Sequence, residues 1–453
     1  MMDISITWRR RTPSNGILNS AFYIILFLIF IIMPYIAVLR YGFPVLIIGD
    51  TSITALSKDL LTLAFIFLGA ISVLSKLHHL RFDKFELSLI ILIVYSMLRA
   101  IATSATLANS AGSFRHEVLF IILSLVLYRL CRTNFISHET IDKIFSRALL
   151  INLLAVITIG YLEIANKDIL AVLYGEKANS LVLGIPGIPE VRTVSTLENP
   201  INLALFLTLA VLYFAKSAPG TRYSSLFFCL LALPLVVSTL SRFFILIYFL
   251  VFLNISAAYF MNIALRKKFI ILATITASLA FLFLNTDIDY LNYVSIDIFE
   301  KRLEQTFSLF EEMDDPRFIN WGLAINEMRS IPVLGELMGL GLGVSNPGDF
   351  SPGQFRIENT FLTVLLQLGL IGFCIFFFPF AIVTNSYRLL RKPTFVYGRK
   401  YLYIVGAILV GGLSNDTHRN MPLSLYLRVP LAMAAIYVRR HTYKEGDVKV
   451  QTC

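Results

Sequence analysis

Residues 226–264 read LFFCLLALPLVVSTLSRFFILIYFLVFLNISAAYFMNIA. Apart from Arg242 and a few Ser, Thr and Asn, the stretch is apolar. A helix crossing the hydrocarbon core takes about 20 residues, so this stretch fits two crossings with Ser241-Arg242 at the turn between them. It lacks the alternation over roughly 10 residues that marks an outer-membrane barrel strand. In lipid each segment must satisfy its own backbone hydrogen bonds, and a helix does so.

The rest of the chain has the same character. Its 453 residues are 57% hydrophobic and 15% charged, with a mean hydropathy of +0.74. Soluble domains carry about 25% charged residues. Working outward predicts twelve helical spans, at roughly 20–39, 59–76, 87–105, 117–130, 146–165, 200–215, 224–240, 243–262, 268–285, 358–386, 401–414 and 421–438. The expected fold is one all-α, polytopic membrane domain over residues 1–453. Gly369 and Gly372 are placed to bend or break the long tenth span.

The net charge of +10 does not point to nucleic acid, because Lys and Arg sit in the gaps between spans and no basic stripe interleaves with aromatics. With the N-terminus in the cytoplasm, the basic groups Arg9–Arg11, Lys84, Arg129, Arg132, Arg266–Lys268, Arg391, Lys392, Arg439 and Arg440 all fall inside. That is the ordinary bias of membrane proteins, and it places both termini in the cytoplasm. Met1 to Ser20 reads as a retained start anchor. Cys131, Cys229, Cys374 and Cys453 show no metal-ligand spacing.

Two outer segments are long, 167–199 and 286–357; structureless loops above about 15 residues are uncommon and usually functional. In the second, Ile298, Leu303, Phe307 and Phe310 alternate with charged residues, which predicts an amphipathic helix on the membrane surface.

Five places on this outer side carry unusual polar residues. Arg242 interrupts the apolar run quoted above. An Arg at a span centre costs about 2.5–3.5 kcal/mol and is usually functional; at a turn it can instead snorkel to headgroups. The stretch Arg192 to Pro200 includes Glu198 and Asn199, and Asn-Pro suits a helix cap and first turn. Asp315, Arg317 and Trp321 precede Pro332, Gly335 and the run Gly339 to Gly343. No strand precedes those glycines, so they are no dinucleotide fingerprint and read as a tight loop against the membrane face. Glu358-Asn359 opens the tenth span, either as a favourable charge at a helix start or as a general base. His418 lies in the last outer loop.

Taken together, these stretches resemble the O-antigen polymerase/ligase superfamily, which includes the polysaccharide repeat-unit polymerases. The matching features are Arg192 before Asn199-Pro200, Ser241-Arg242 in an outer turn, the series Asp315/Arg317/Trp321/Pro332/Gly335/Gly339–Gly343, and Glu358-Asn359 leading to Gly369 and Gly372. The resemblance covers about residues 190–375 and the span plan. It implies a glycosyltransferase of the bacterial inner membrane that polymerises undecaprenyl-pyrophosphate-linked oligosaccharide repeat units into O-antigen, capsule or exopolysaccharide at the periplasmic face. A chain-length regulator is an implied partner, and no cofactor or metal is implied. In this reading Arg242 and Arg317 meet the leaving pyrophosphate and Glu358 activates the acceptor hydroxyl. Arg192, Glu198, Asn199, Arg302, Asn359 and His418 bind substrate. Glu358 stands where the family ligases, and many of its polymerases, have His; polymerases are the more variable branch, so the departure favours a polymerase over a ligase. A flippase or transporter predicts internal repeats and charges near the bilayer midplane; the sequence shows no repeat, and its charges crowd the outer side, with Arg99 the deepest exception.

The topology is testable by labelling. Single cysteines at Lys177, Arg317 and His418 should react with a membrane-impermeant reagent from the periplasm, and those at Lys84, Lys267 and Lys392 should not. Labelling of position 267 together with 317 overturns the orientation.

Overall fold

The structure, a computed structural model, describes residues 16–43, 47–48, 51–74, 82–103, 106–178, 192–215, 222–260, 316–330, 333–344, 357–385, 395–413, 415–417 and 423–451. Over these residues it is all-helical apart from a hairpin of two very short antiparallel strands, β1 (Ile47–Ile48) and β2 (Thr51–Ser52). In chain order the helices are α1 (Gly16–Ile32), α2 (Ile36–Tyr41), α3 (Ile53–Leu74), α4 (Lys84–Ile101), α5 (Leu107–Glu117), α6 (Leu119–Arg132), α7 (His138–Ala165) and α8 (Ile169–Tyr174). After these come α9 (Pro200–Ala215), α10 (Arg222–Ser238), α11 (Arg242–Phe260), α12 (Pro316–Ser330), α13 (Val333–Met338), α14 (Thr360–Thr384), α15 (Val396–Gly411) and α16 (Leu423–Gln451). Helices lie on eleven of the twelve apolar runs. The run 268–285 and the amphipathic stretch with Arg302 lie outside the described residues. Four helical stretches are long and apolar enough to cross a membrane: Leu18–Tyr41, Leu56–Val73, His138–Ala165 and Thr360–Thr384.

Local sequence explains where helices begin. The Asp83 carboxylate accepts from the Glu86 amide at 2.9 Å, and the Glu86 carboxylate accepts from the Asp83 amide at 3.0 Å. This reciprocal box starts α4. Thr106 and Ser137 cap α5 and α7 with their hydroxyls. Pro200 opens α9, where a missing N–H leaves nothing unsatisfied.

Composition then decides position. Every residue of α9 from Pro200 to Phe214 is buried, as is α16 from Leu423 to Ile436. A helix apolar on all sides belongs at a centre. Accordingly α9 packs against α10, α11 and α15, and α16 packs against α6 and α15. Helices α3, α4 and α11 turn Leu60, Phe67, Leu98, Leu246, Phe249 and Leu250 outward. Large exposed side chains on such apolar helices suit contact with lipid.

One end of the bundle is closed by ion pairs. Glu86 of α4, fully buried, meets Arg129 of α6 at 3.0 Å and also pairs with Arg132. Asp83 accepts from the Tyr128 hydroxyl at 2.7 Å and pairs with Arg439 of α16. Burial works against the charged form of Asp83. The Glu86 amide, the Tyr128 hydroxyl and the Arg132 and Arg439 guanidinium groups outweigh it and hold the carboxyl below its usual value. A second knot joins α7, α9 and α15: Asp142 binds Lys400 at 2.6 Å and accepts from the hydroxyls of Tyr213 and Tyr401. Several basic residues read from sequence as markers of orientation are therefore also structural ties.

Removing one member of a buried pair strands the other charge. Glu86→Ala should destabilise the protein by about 3–5 kcal/mol, read as a large fall in the melting temperature in detergent. An unchanged melting temperature would show that α4, α6 and α16 are held together without this knot.

Candidate functional site

The opposite end, where α9, α11 and α14 start, is built differently. It begins with Glu163 near the end of α7, which is completely buried. Its carboxylate accepts from the amides of Val194, at 3.1 Å, and Ser195, at 2.6 Å, and Lys167 reaches it at 3.5 Å. Burial lowers the Lys167 ammonium, and Glu163 offsets part of that. The Tyr174 hydroxyl donates to the Ser195 carbonyl at 2.6 Å and accepts from the Glu198 amide at 3.1 Å. The segment 193–197 is thereby held inside the protein as an irregular turn.

This turn is joined to the one quoted first. Arg192 Nε donates to the Thr239 carbonyl at 2.7 Å, and the Thr193 amide donates to the Ser238 carbonyl at 3.3 Å. The stretch around Arg192 thus lies against the Ser241-Arg242 turn, as a shared site requires. Ser195, Glu198 and Leu240, with φ of 50°, 61° and 52°, all fall in these two turns. Such backbone costs about 1–3 kcal/mol per residue and persists only where surroundings enforce it, characteristically at functional sites. Among the described residues the remaining non-glycine case, Asn134, follows α6, where Asn accepts this conformation readily.

The fate of each residue in the stretch is specific. Arg242 is the first residue of α11, at a turn and not in mid-helix. Glu198 pairs with Lys177 at 3.6 Å. Asn199 accepts from the Ile201 amide at 2.8 Å and so serves the start of α9, as the Asn-Pro pair anticipates.

The start of α14 adjoins the same end. Asn359 caps the helix by accepting from the Leu362 amide at 3.0 Å, and its amide donates to the Leu413 carbonyl at 2.9 Å. Thr360 donates its backbone N–H to the Gly412 carbonyl and accepts from the Thr417 amide, both at 2.8 Å. Asn415 Nδ2 donates to Asn202 Oδ1 of α9 at 3.0 Å. Residues 412–417 therefore tie the start of α14 to the start of α9. His418 follows directly but lies outside the described residues. Glu358 is half-buried, one residue ahead of the cap.

Below its start, α14 breaks at Gly369, with φ 67° and ψ −173°. The glycine run enters the break. The Leu340 amide donates to the Leu366 carbonyl at 2.8 Å, and the Gly341 amide to the Gln367 carbonyl at 2.9 Å. The Tyr95 hydroxyl of α4 takes the Leu368 carbonyl at 2.8 Å, and Arg99 Nη2 donates to the Gly339 carbonyl at 2.7 Å. A Cβ on Gly339, whose φ is 77°, would stand 2.6 Å from the Gln367 carbonyl. The run is therefore not a loop lying on the membrane face. It completes the hydrogen bonding of a broken helix, and Arg99, the exception noted in the sequence, pins it there. Trp321 and Met328 of α12 pack with Leu340, Ile357, Leu362 and Leu366. This places α12, whose second residue is Arg317, beside the first turns of α14.

Sequence reading missed Glu163, Asn202, Asn415 and Arg428. Glu163, Asn202 and Arg428 are polar residues inside apolar helices, and that was the available signal. No protein-family model matches the chain, and no curated protein is significantly similar to it.

Chemically, this end gathers Arg192, the starts of three helices and the positions of Arg242 and Arg317 around turns of enforced geometry. That combination favours an anionic ligand. Glu163→Ala should strand two buried amides, at about 1–3 kcal/mol each, and lower the melting temperature in detergent. A melting temperature equal to that of the unaltered protein would show that the 193–197 turn does not depend on this carboxylate.

Proposed function

We propose that this chain is a bacterial inner-membrane glycosyltransferase of twelve spans, with both termini cytoplasmic, which polymerises undecaprenyl-pyrophosphate-linked repeat units into a surface polysaccharide. The observation that carries the reading is convergence. The stretch around Arg192 is hydrogen-bonded to the turn before Arg242, the start of α14 at Asn359 is tied to the start of α9 through Leu413 and Asn415, and the run Gly339–Gly343 binds farther along α14, at Leu366 and Gln367. The resemblance to O-antigen polymerases rests on these same stretches.

In this mechanism an acceptor sugar hydroxyl on one lipid-linked unit attacks the anomeric carbon of the growing chain. The bond to the donor pyrophosphate breaks, and the lipid pyrophosphate leaves with the electron pair. Arg242 and Arg317 stabilise the developing phosphate charge, as preorganised cations do. Glu358 accepts the hydroxyl proton. Asn359 already caps α14, so the carboxylate ahead of it is not needed to close the helix. A second reading, a flippase for the same lipid-linked units, draws support from the break in α14, because discontinuous helices form transporter binding sites.

Glu358→Gln keeps shape and hydrogen bonding but removes proton acceptance, which is typically worth about 10²–10⁴-fold. Cells carrying it should accumulate single repeat units on the carrier lipid in the periplasmic leaflet and lose the polymer ladder. Arg242→Ala and Arg317→Ala should do the same, with only partial rescue by Lys, which cannot make a two-pronged phosphate contact. A normal ladder at normal expression removes Glu358 from the reaction. Accumulation in the cytoplasmic leaflet favours the flippase.

A further inference from the structure

Arg428 lies in the buried stretch of α16, flanked by Leu425, Tyr426, Leu427 and Val429, and is 1% exposed. A charged side chain inside a membrane bundle is expensive and is retained for a reason. Its guanidinium carbon stands 4.7 Å from the ring centre of Phe376 and 5.8 Å from that of Phe380, one turn apart on α14. Aromatic rings attract a guanidinium without using its N–H donors as hydrogen bonds to carboxylates or carbonyls do. Among the described residues neither Nε nor Nη1 has a hydrogen-bond partner, and Arg428 forms no ion pair. Glu117, where α5 meets α6, is the carboxylate close enough to act on it electrostatically.

A buried Arg kept for stability is expected to spend its donors on carboxylates or carbonyls. This one is fixed by aromatic contact with donors to spare. Planar donors of that kind match the oxygens of a phosphate. The same part of α14 exposes Leu370, Ile371 and Phe378 on its outer side, so lipid lies one helix away. The break at Gly369 lies two turns from Phe376.

We propose that Arg428 is an anion-binding residue for the phosphate of a lipid-linked substrate, at a subsite between α14 and α16, inside the bundle and separate from the turns that carry Arg192 and Arg242. The proposal rests on the reading that the substrate is a polyprenyl pyrophosphate. It gives that substrate's phosphate a contact beneath the broken helix while the sugars remain at the outer turns.

The test uses the full-length protein in phosphatidylcholine nanodiscs, with farnesyl pyrophosphate as probe and calorimetry as readout. Charge-assisted hydrogen bonds to phosphate are worth enough that Arg428→Gln should weaken binding by about 10–100-fold. The melting temperature shows whether the variant is folded, and binding is compared only between folded proteins. Should that variant fail to fold, Arg428→Lys and Glu117→Gln serve instead: the first should bind more weakly, and the second more tightly for loss of the competing carboxylate. Unchanged affinity in the Arg428 variant that folds overturns the proposal. Equal affinity of the unaltered protein for inorganic pyrophosphate, or full competition by phosphatidylglycerol added to the nanodiscs, overturns the lipid-linked ligand. Failure of the polymerase reading registers separately, as a polymer ladder that persists in cells lacking the protein. Arg428-dependent binding can survive that result, and a genuine polymerase can survive loss of the Arg428 effect.

Discussion

The break in α14 at Gly369 is the constraint on which this end of the protein depends. A helix interrupted inside an apolar bundle exposes carbonyls that water cannot reach, and each needs a donor from the protein. Leu340 and Gly341 supply amides to Leu366 and Gln367, and Tyr95 supplies its hydroxyl to Leu368. Gly339 can come this close only because it has no Cβ to meet the α14 backbone, and Gly341 and Gly343 have none to meet Thr103 and Asn109–Ser110. Once it is seated there, α12 and α13 are anchored, and Trp321 and Met328 hold α12 beside the first turns of α14.

The two ends of the bundle use polar groups in different proportion, although ion pairs also occur at the second, between Glu163 and Lys167 and between Glu198 and Lys177. At the end with Asp83, Glu86 and Asp142, acids and bases are matched in pairs, and the pairs tie α4, α6 and α16 on one side and α7, α9 and α15 on the other. That end is suited to stay still. At the other end, polar groups hold backbone. Glu163 grips two amides, Asn359 and Thr360 grip the 412–417 loop, and Ser195, Glu198 and Leu240 are kept in left-handed conformations. Strain enforced by a rigid surround is the arrangement expected where geometry, and not stability, has been fixed. This difference is the physical ground for placing the proposed chemistry at one end only.

Roles divide within the candidate site as well. Asn199 and Asn359 serve helix starts, and Glu198 is engaged with Lys177. Arg192 spends its Nε on the Thr239 carbonyl, three residues before Arg242. The buried Arg428 contrasts with all of these, since aromatic rings lie on it and, among the described residues, its Nε and Nη1 have no hydrogen-bond partner.

The sequence alone determined the all-helical class, where the long apolar helices lie, the cap at Asn199-Pro200, and the weakness of the long helix at Gly369. These are local properties: apolar length, side-chain oxygens next to amides, and a residue without a Cβ. It also singled out the stretches around Arg192, Arg242, Arg317 and Glu358, because charge beside lipid is conspicuous. Only the tertiary structure decided that Arg192 lies on the Arg242 turn, that the glycine run fills the break in α14, and that Asn415 joins Asn202. It also showed that Glu86 and Asp83 engage Arg129, Arg132 and Arg439, charges that had looked like markers of topology. Those pairings join residues tens to hundreds of positions apart. A partner at that distance leaves no trace in the local pattern, since burial and hydrogen-bond satisfaction are settled only when helices pack. Arg428 shows this most clearly: by its neighbours in sequence it is one charge in an apolar run, and only packing against Phe376 and Phe380 reveals how it is held.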